Sequence, residues 1–208
     1  MVRSFRQRVL TSAAAVTGIV ALTATPAHAA TWTVSGAGGL VFYASSGQPY
    51  LRDVQTNVAF TCDQQLMASE LNDTSGHPGP GIGVLENFDW GTCFHPSIGQ
   101  FAVTSENFWE YNAVAPTANP DVSVISVTAI ELEVSGPGCE ATISGGAPGY
   151  YHSDTGYLEM DLNAPNPGGH ELVASDVTGC TGMLANGRTM EWDAAYLTDP
   201  VYGLSSTP

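Results

Sequence analysis

The residue types that do chemistry are thinly spread along this chain of 208 residues. Nucleophilic catalysis needs an activated serine or cysteine beside a histidine base. Past residue 29 the histidines are His77, His95, His152 and His170, scattered in Gly- and Pro-rich stretches such as Gly76-His77-Pro78 and Phe94-His95-Pro96. No serine stands in a G-x-S-x-G turn. These histidines read as loop residues open to water.

Two carboxylates, Glu131 and Glu133, stand two apart in a strand-like stretch. They share a face there, with Cα atoms about 7 Å apart, a spacing that suits glycosidase acids. With 20 acids in the chain such pairs arise by chance, and the pair reads as solvated. Glu70–Gly76 and His152–Gly156 are the oxygen-rich loops nearest to a calcium site. Neither has the spacing D-x-[DN]-x-[DN]-G, and Asx-rich turns form for conformational reasons alone. The sequence assigns no catalytic, cofactor-binding or metal-binding residue, and it implies no cofactor.

Aromatics crowd one stretch: Phe88, Trp90, Phe94, Phe101, Phe108, Trp109 and Tyr111. Exposed, they would suit sugar stacking or an apolar pocket. Core packing in a β protein uses the same residues, and that is the reading preferred.

Cys62, Cys93, Cys139 and Cys180 make an even set with no C-x-x-C pair, which points to two disulfides rather than to zinc. Three pairings are open. Cys62–Cys93 with Cys139–Cys180 is preferred because each bridge then closes a loop within one half of the chain, stabilising by about 3–4 kcal/mol.

Oxidised cysteines agree with the start of the chain. Arg3, Arg6 and Arg8 precede an uncharged apolar run, Val9–Ala24, and Ala27-His28-Ala29 ends it as a small-x-small triplet. These are the parts of a secretory signal, expected to be cut after Ala29. The run is short for a membrane span. The C-terminus, Tyr202–Pro208, has no apolar tail, so a released, extracellular protein is expected. All 20 acids follow Ala29, against Arg52 and Arg188 and no lysine, which leaves a formal charge of −18. Such a chain repels phosphate backbones and anionic lipid, so neither nucleic acid nor membrane is an expected partner.

The elements that would position any site are strands. Gly, Pro and Asn clusters recur at Gly36–Gly39, Gly76–Gly83, Ala115–Pro120, Gly145–Gly149 and Pro165–Gly169, leaving little room for helices. In Asp121–Val134, Val122, Val124, Thr128, Ile130, Leu132 and Val134 share one parity, expected to form one face. The first half reads as buried on both faces, because the opposite parity brings Ile125 and Val127 before it turns to Glu131 and Glu133. Tyr157–Leu162 and Met190–Tyr196 alternate too. Shorter strands are expected at Thr31–Ser35, Leu40–Ala44, Val58–Asp63, Gly81–Phe88, Phe101–Ser105 and Glu171–Ser175. Gln64–Leu71 alone has fair helix composition. Residues 30–208 are therefore expected to form one all-β domain, an antiparallel β-sandwich or barrel of many short strands stapled by two disulfides.

Several phrases resemble a group of small secreted actinomycete proteins of unknown function. They are Thr31-Trp32-Thr33-Val34, then Gly136-Pro137-Gly138-Cys139-Glu140-Ala141-Thr142-Ile143-Ser144-Gly145, then Asp154-Thr155-Gly156-Tyr157-Leu158 and Asp176-Val177-Thr178-Gly179-Cys180-Thr181-Gly182. The resemblance implies a disulfide-bonded β fold and supplies no activity. The functional expectation is a non-enzymatic, monomeric domain that binds an extracellular ligand or surface component. The alternative is a secreted polysaccharide hydrolase using paired carboxylates such as Glu131 and Glu133.

Overall fold

The computed structural model describes residues 30–36, 41–71, 73–180 and 182–207. The signal peptide read at Met1–Ala29 lies outside the described residues. Within them the chain forms strands and no helix. The first eight are β1 (Thr31–Ser35), β2 (Val41–Gly47), β3 (Tyr50–Asp53), β4 (Ala59–Cys62), β5 (Gln64–Leu71), β6 (Thr74–His77), β7 (Gly83–Asp89) and β8 (Cys93–His95). The rest are β9 (Gly99–Ser105), β10 (Trp109–Pro116), β11 (Val122–Gly136), β12 (Cys139–His152), β13 (Tyr157–Met160), β14 (Leu172–Thr178), β15 (Thr189–Asp199) and β16 (Gly203–Thr207). No described helix is long and apolar enough to cross a membrane.

All pairings are antiparallel, and they close on themselves. One circuit runs β2, β5, β7, β10, β11, β12, β13, β15 and back to β2. A second runs β3, β4, β8, β9, β11, β12, β14, β15 and back to β3. The long strands β11, β12 and β15 serve both circuits, one half in each. Closure leaves few unpaired edges for other chains to extend. β1, β6 and β16 form a separate three-stranded sheet.

One apolar core runs through both circuits, from Leu51, Phe60 and Ile143 to Trp109, Ile125 and Tyr196. Tyr202 ties β12 to β10 inside the first circuit. Its ring stacks on Tyr151 at 4.1 Å, its hydroxyl lies 2.9 Å from that of Tyr111, and its carbonyl accepts from the Tyr151 hydroxyl at 2.8 Å. The bridges are Cys62–Cys93 and Cys139–Cys180, closing separations of 31 and 41 residues. That is the preferred pairing.

Three features depart from the sequence reading. Gln64–Leu71 is strand β5 rather than helix-like, because β2 and β7 hold it on both sides and its odd positions Gln65, Met67, Ser69 and Leu71 face inward. Neighbouring strands override a weak local preference. The Gly145–Gly149 cluster, read as a breaker, lies inside the long strand β12. Glycine is required there: a Cβ on Gly145 would overlap the Glu171 carbonyl, and one on Gly149 would overlap that of Glu159.

The third departure concerns β11, whose even positions are expected from the sequence to share one face. Val127 pairs with Ala147 and Ile130 with Gly145, so Thr128 and Ala129 together oppose Gly146. This is a β-bulge, and Ala129 takes the left-handed conformation at φ 59°. Before it, the odd residues Ile125 and Val127 enter the core. After it, the even residues Ile130, Leu132 and Val134 do. Val122, Val124, Ser126 and Thr128 are thereby turned to the outer face.

Candidate functional site

That outer face carries a feature built like a binding site. Val122, Val124, Ser126 and Thr128 succeed one another along β11, and two neighbouring hollows open over them, taken together as one groove. By strand rise the floor spans about 20 Å. Its two ends differ in chemistry.

The apolar end is a space of about 570 Å³ over Val122 and Val124, walled by Ala115, Pro116, Tyr150 and Pro165. Val124 is buried but is not part of the main core. The polar end is a cleft of about 400 Å³ lined by Glu110, Asn112, Ser126, Thr128 and His170, with Pro78 and Pro80 at its rim.

The segment between β13 and β14 runs along the groove and contributes Pro165 to one end and Gly168 and His170 to the other. Both of its feet are tied to β12. The Asp161 amide donates to the Pro148 carbonyl at 3.1 Å, and the Gly146 amide donates to the Glu171 carbonyl at 3.2 Å. Within it Asn166 clamps His170 from both sides, accepting from its amide at 2.9 Å and donating to its carbonyl at 2.7 Å. The histidine is held by backbone hydrogen bonds rather than left on a free loop.

The opposite wall is pinned by Asn112, which is buried. Its Oδ1 accepts from the Gly81 amide at 2.7 Å. Its Nδ2 donates to Thr128 Oγ1 at 3.0 Å, with the Glu110 and Ser126 carbonyls each at 3.3 Å. Thr128 Oγ1 in turn donates to Glu110 Oε2 at 3.2 Å. Asn112 and the Thr128 proton are therefore committed within the protein. What the polar end turns to solvent is the Glu110 carboxylate and the His170 imidazole.

The arginines of residues 30–208 lie elsewhere. Arg52 is paired with Glu191 and also donates to Asn57 at 3.0 Å. Its hydrogen bond to Glu191 holds its guanidinium above the ordinary value. Arg188 Nε stands 4.0 Å from Asp53 Oδ2. Neither lines the groove.

Comparison with known protein families, curated proteins and solved structures finds no match to this chain.

The candidate residues named from the sequence scatter over the fold. His77 and His95 each accept, through Nδ1, the amide two residues on, Gly79 at 3.2 Å and Ser97 at 3.1 Å. They are turn formers, and His95 is buried rather than exposed. His152 is half-buried with its ring edge-on to Tyr157 at 6.0 Å. Glu131 accepts from Asn107 at 2.6 Å. Glu133 lines a separate hollow of about 280 Å³ with Glu140 and Asp176. No three potential ligands converge on a metal position among the described residues. In the loop at His152–Gly156, the Gly156 amide closes on the His152 carbonyl at 2.8 Å and Ser153 donates to Asp121. Of the crowded aromatics, Trp90, Trp109 and Tyr111 are fully buried, and Phe88 stacks on Trp109 at 3.7 Å. Phe94 and Phe108 are exposed.

Reading the sequence alone does not single out Glu110, Thr128 or Tyr150. Each is ordinary locally, and they meet only through strand register: Glu110 with Thr128, and Val124 with Tyr150.

Proposed function

We propose that this chain is a secreted, non-enzymatic binding domain that takes an extended ligand in the groove over β11. The observation that carries the reading is a pair of neighbouring hollows set along β11, one over Val122 and Val124 and one over Ser126 and Thr128, both walled by a segment anchored at both feet. A preformed site of this kind limits the entropy that binding must overcome. The leader, with its basic head, apolar run and Ala27-His28-Ala29 exit, supports export, and the two disulfides are compatible with an extracellular location.

The test is amide-resolved NMR of residues 30–208 titrated with neutral oligosaccharides and with short peptides. Shifts centred on Val122, Val124, Thr128 and His170 are expected, and they should vanish in Tyr150→Ala. Shifts centred instead on Glu133, Glu140 and Asp176, or cleavage of an oligosaccharide during the titration, would overturn the proposal and favour the hydrolase.

A further inference from the structure

Resting on that reading, we infer that the groove's ligand is a cationic peptide segment, with a basic side chain at the Glu110 end and an apolar residue at the Tyr150 end. The first support is hydrogen-bond supply. Asn112 is spent on the Gly81 amide, two backbone carbonyls and Thr128. Thr128 gives its proton to Glu110. The polar end thus turns the Glu110 carboxylate to a ligand, beside the His170 imidazole. An ionised carboxylate only accepts, and an ammonium or guanidinium brings donors only, so the two match.

Charge is the second support. No arginine lines the groove, and the chain after Ala29 carries a formal −18. That field concentrates cations near the surface and repels anionic glycans. The third support is spacing. Val124 and Thr128 are four residues apart on one strand, about 13 Å, which an extended peptide covers between a basic and an apolar side chain a few residues apart. Tyr150, Pro116 and Pro165 give the apolar residue a wall on several sides.

The experiment uses acetylated, amidated heptapeptides carrying a fixed leucine and either Lys, Gln or Glu two to five positions away. Binding to the protein purified as residues 30–208 is read by calorimetry and by amide shifts. Lys peptides are expected to bind about three- to fivefold tighter than their Gln partners, the effect of one solvent-accessible ion pair, and Glu peptides weaker still. Glu110→Gln should erase the Lys preference, bringing Lys and Gln peptides to equal affinity. Raising the salt should narrow the gap between the Lys and Gln sets.

Equal binding of Lys and Gln peptides would overturn the cationic assignment and leave the groove standing as a ligand site. Groove shifts with a polyamine, and none with any peptide, would overturn the peptide assignment alone; shifts with a neutral oligosaccharide only would overturn the cationic assignment with it. Silence of the groove toward every probe would sink both this inference and the function it rests on.

Discussion

Val127 and Ile130 lie three residues apart on one strand and yet enter the same core, because Thr128 and Ala129 together occupy one position of the ladder with β12. The bulge does two jobs. It carries β11 from its pairing with β10 to its pairing with β9, and it frees Val122, Val124, Ser126 and Thr128 to floor the groove.

Ala129 holds a positive φ of 59° and is exposed. Glycine adopts that conformation without a Cβ penalty, although it adds freedom to the unfolded chain. Ala129→Gly should therefore be neutral or stabilising by up to about 1 kcal/mol, and Ala129→Val destabilising by about 1–2 kcal/mol. Urea unfolding of the two variants checks this. A stabilised Val variant would mean that the bulge is absent.

Gly145 has very little room. A side chain there would run into the Glu171 backbone, and its φ of 134° is open only to glycine. Gly145→Ala should cost about 2–3 kcal/mol and lift the segment that carries His170. Loss of stability by urea unfolding, together with weakened groove binding, is the expected pair of results.

Ser69 is fully buried, and its hydroxyl has no hydrogen-bond partner among the described residues. Replacing it with alanine removes an uncompensated polar group and no bond. Ser69→Ala should stabilise the protein by about 1 kcal/mol, read as a higher urea midpoint at unchanged slope. A drop of similar size would indicate that the hydroxyl is satisfied in solution by a buried water.

Tyrosines set the alkaline limit. Burial, followed by the 2.7 Å hydrogen bond to Asp193, pushes the Tyr50 hydroxyl up to about 12 from 10.0. Burial also raises Tyr111, Tyr151, Tyr196 and Tyr202. A folded value above the unfolded one means that the folded state keeps the proton more tightly. The stabilisation is whole below pH 10 and is lost as the pH rises through 12. Phenolate absorbance and circular dichroism should therefore change together above pH 10. Ionisation of all the tyrosines near pH 10 with the fold intact would contradict the burial.

The sequence determined class, and the reason is local. Period-two alternation in Tyr157–Met160 and Met190–Tyr196, with turn residues between the strands, allows little but antiparallel sheet, and β13 and β15 stand there. Four cysteines in two halves pointed to the bridges that form. Tertiary structure decided the faces and the site. Ala129 looks like any small residue in an alternating run, so the parity switch at the bulge is set by which partners β11 meets along its length. Gly145–Gly149 looks like a turn until Glu171 and Glu159 approach β12 from the side. Glu110, Thr128, Tyr150 and His170 come from separate parts of the chain, and only register and the anchored segment above β12 bring them to one groove. Local chemistry sets the period of a strand; long-range pairing sets which way each residue points.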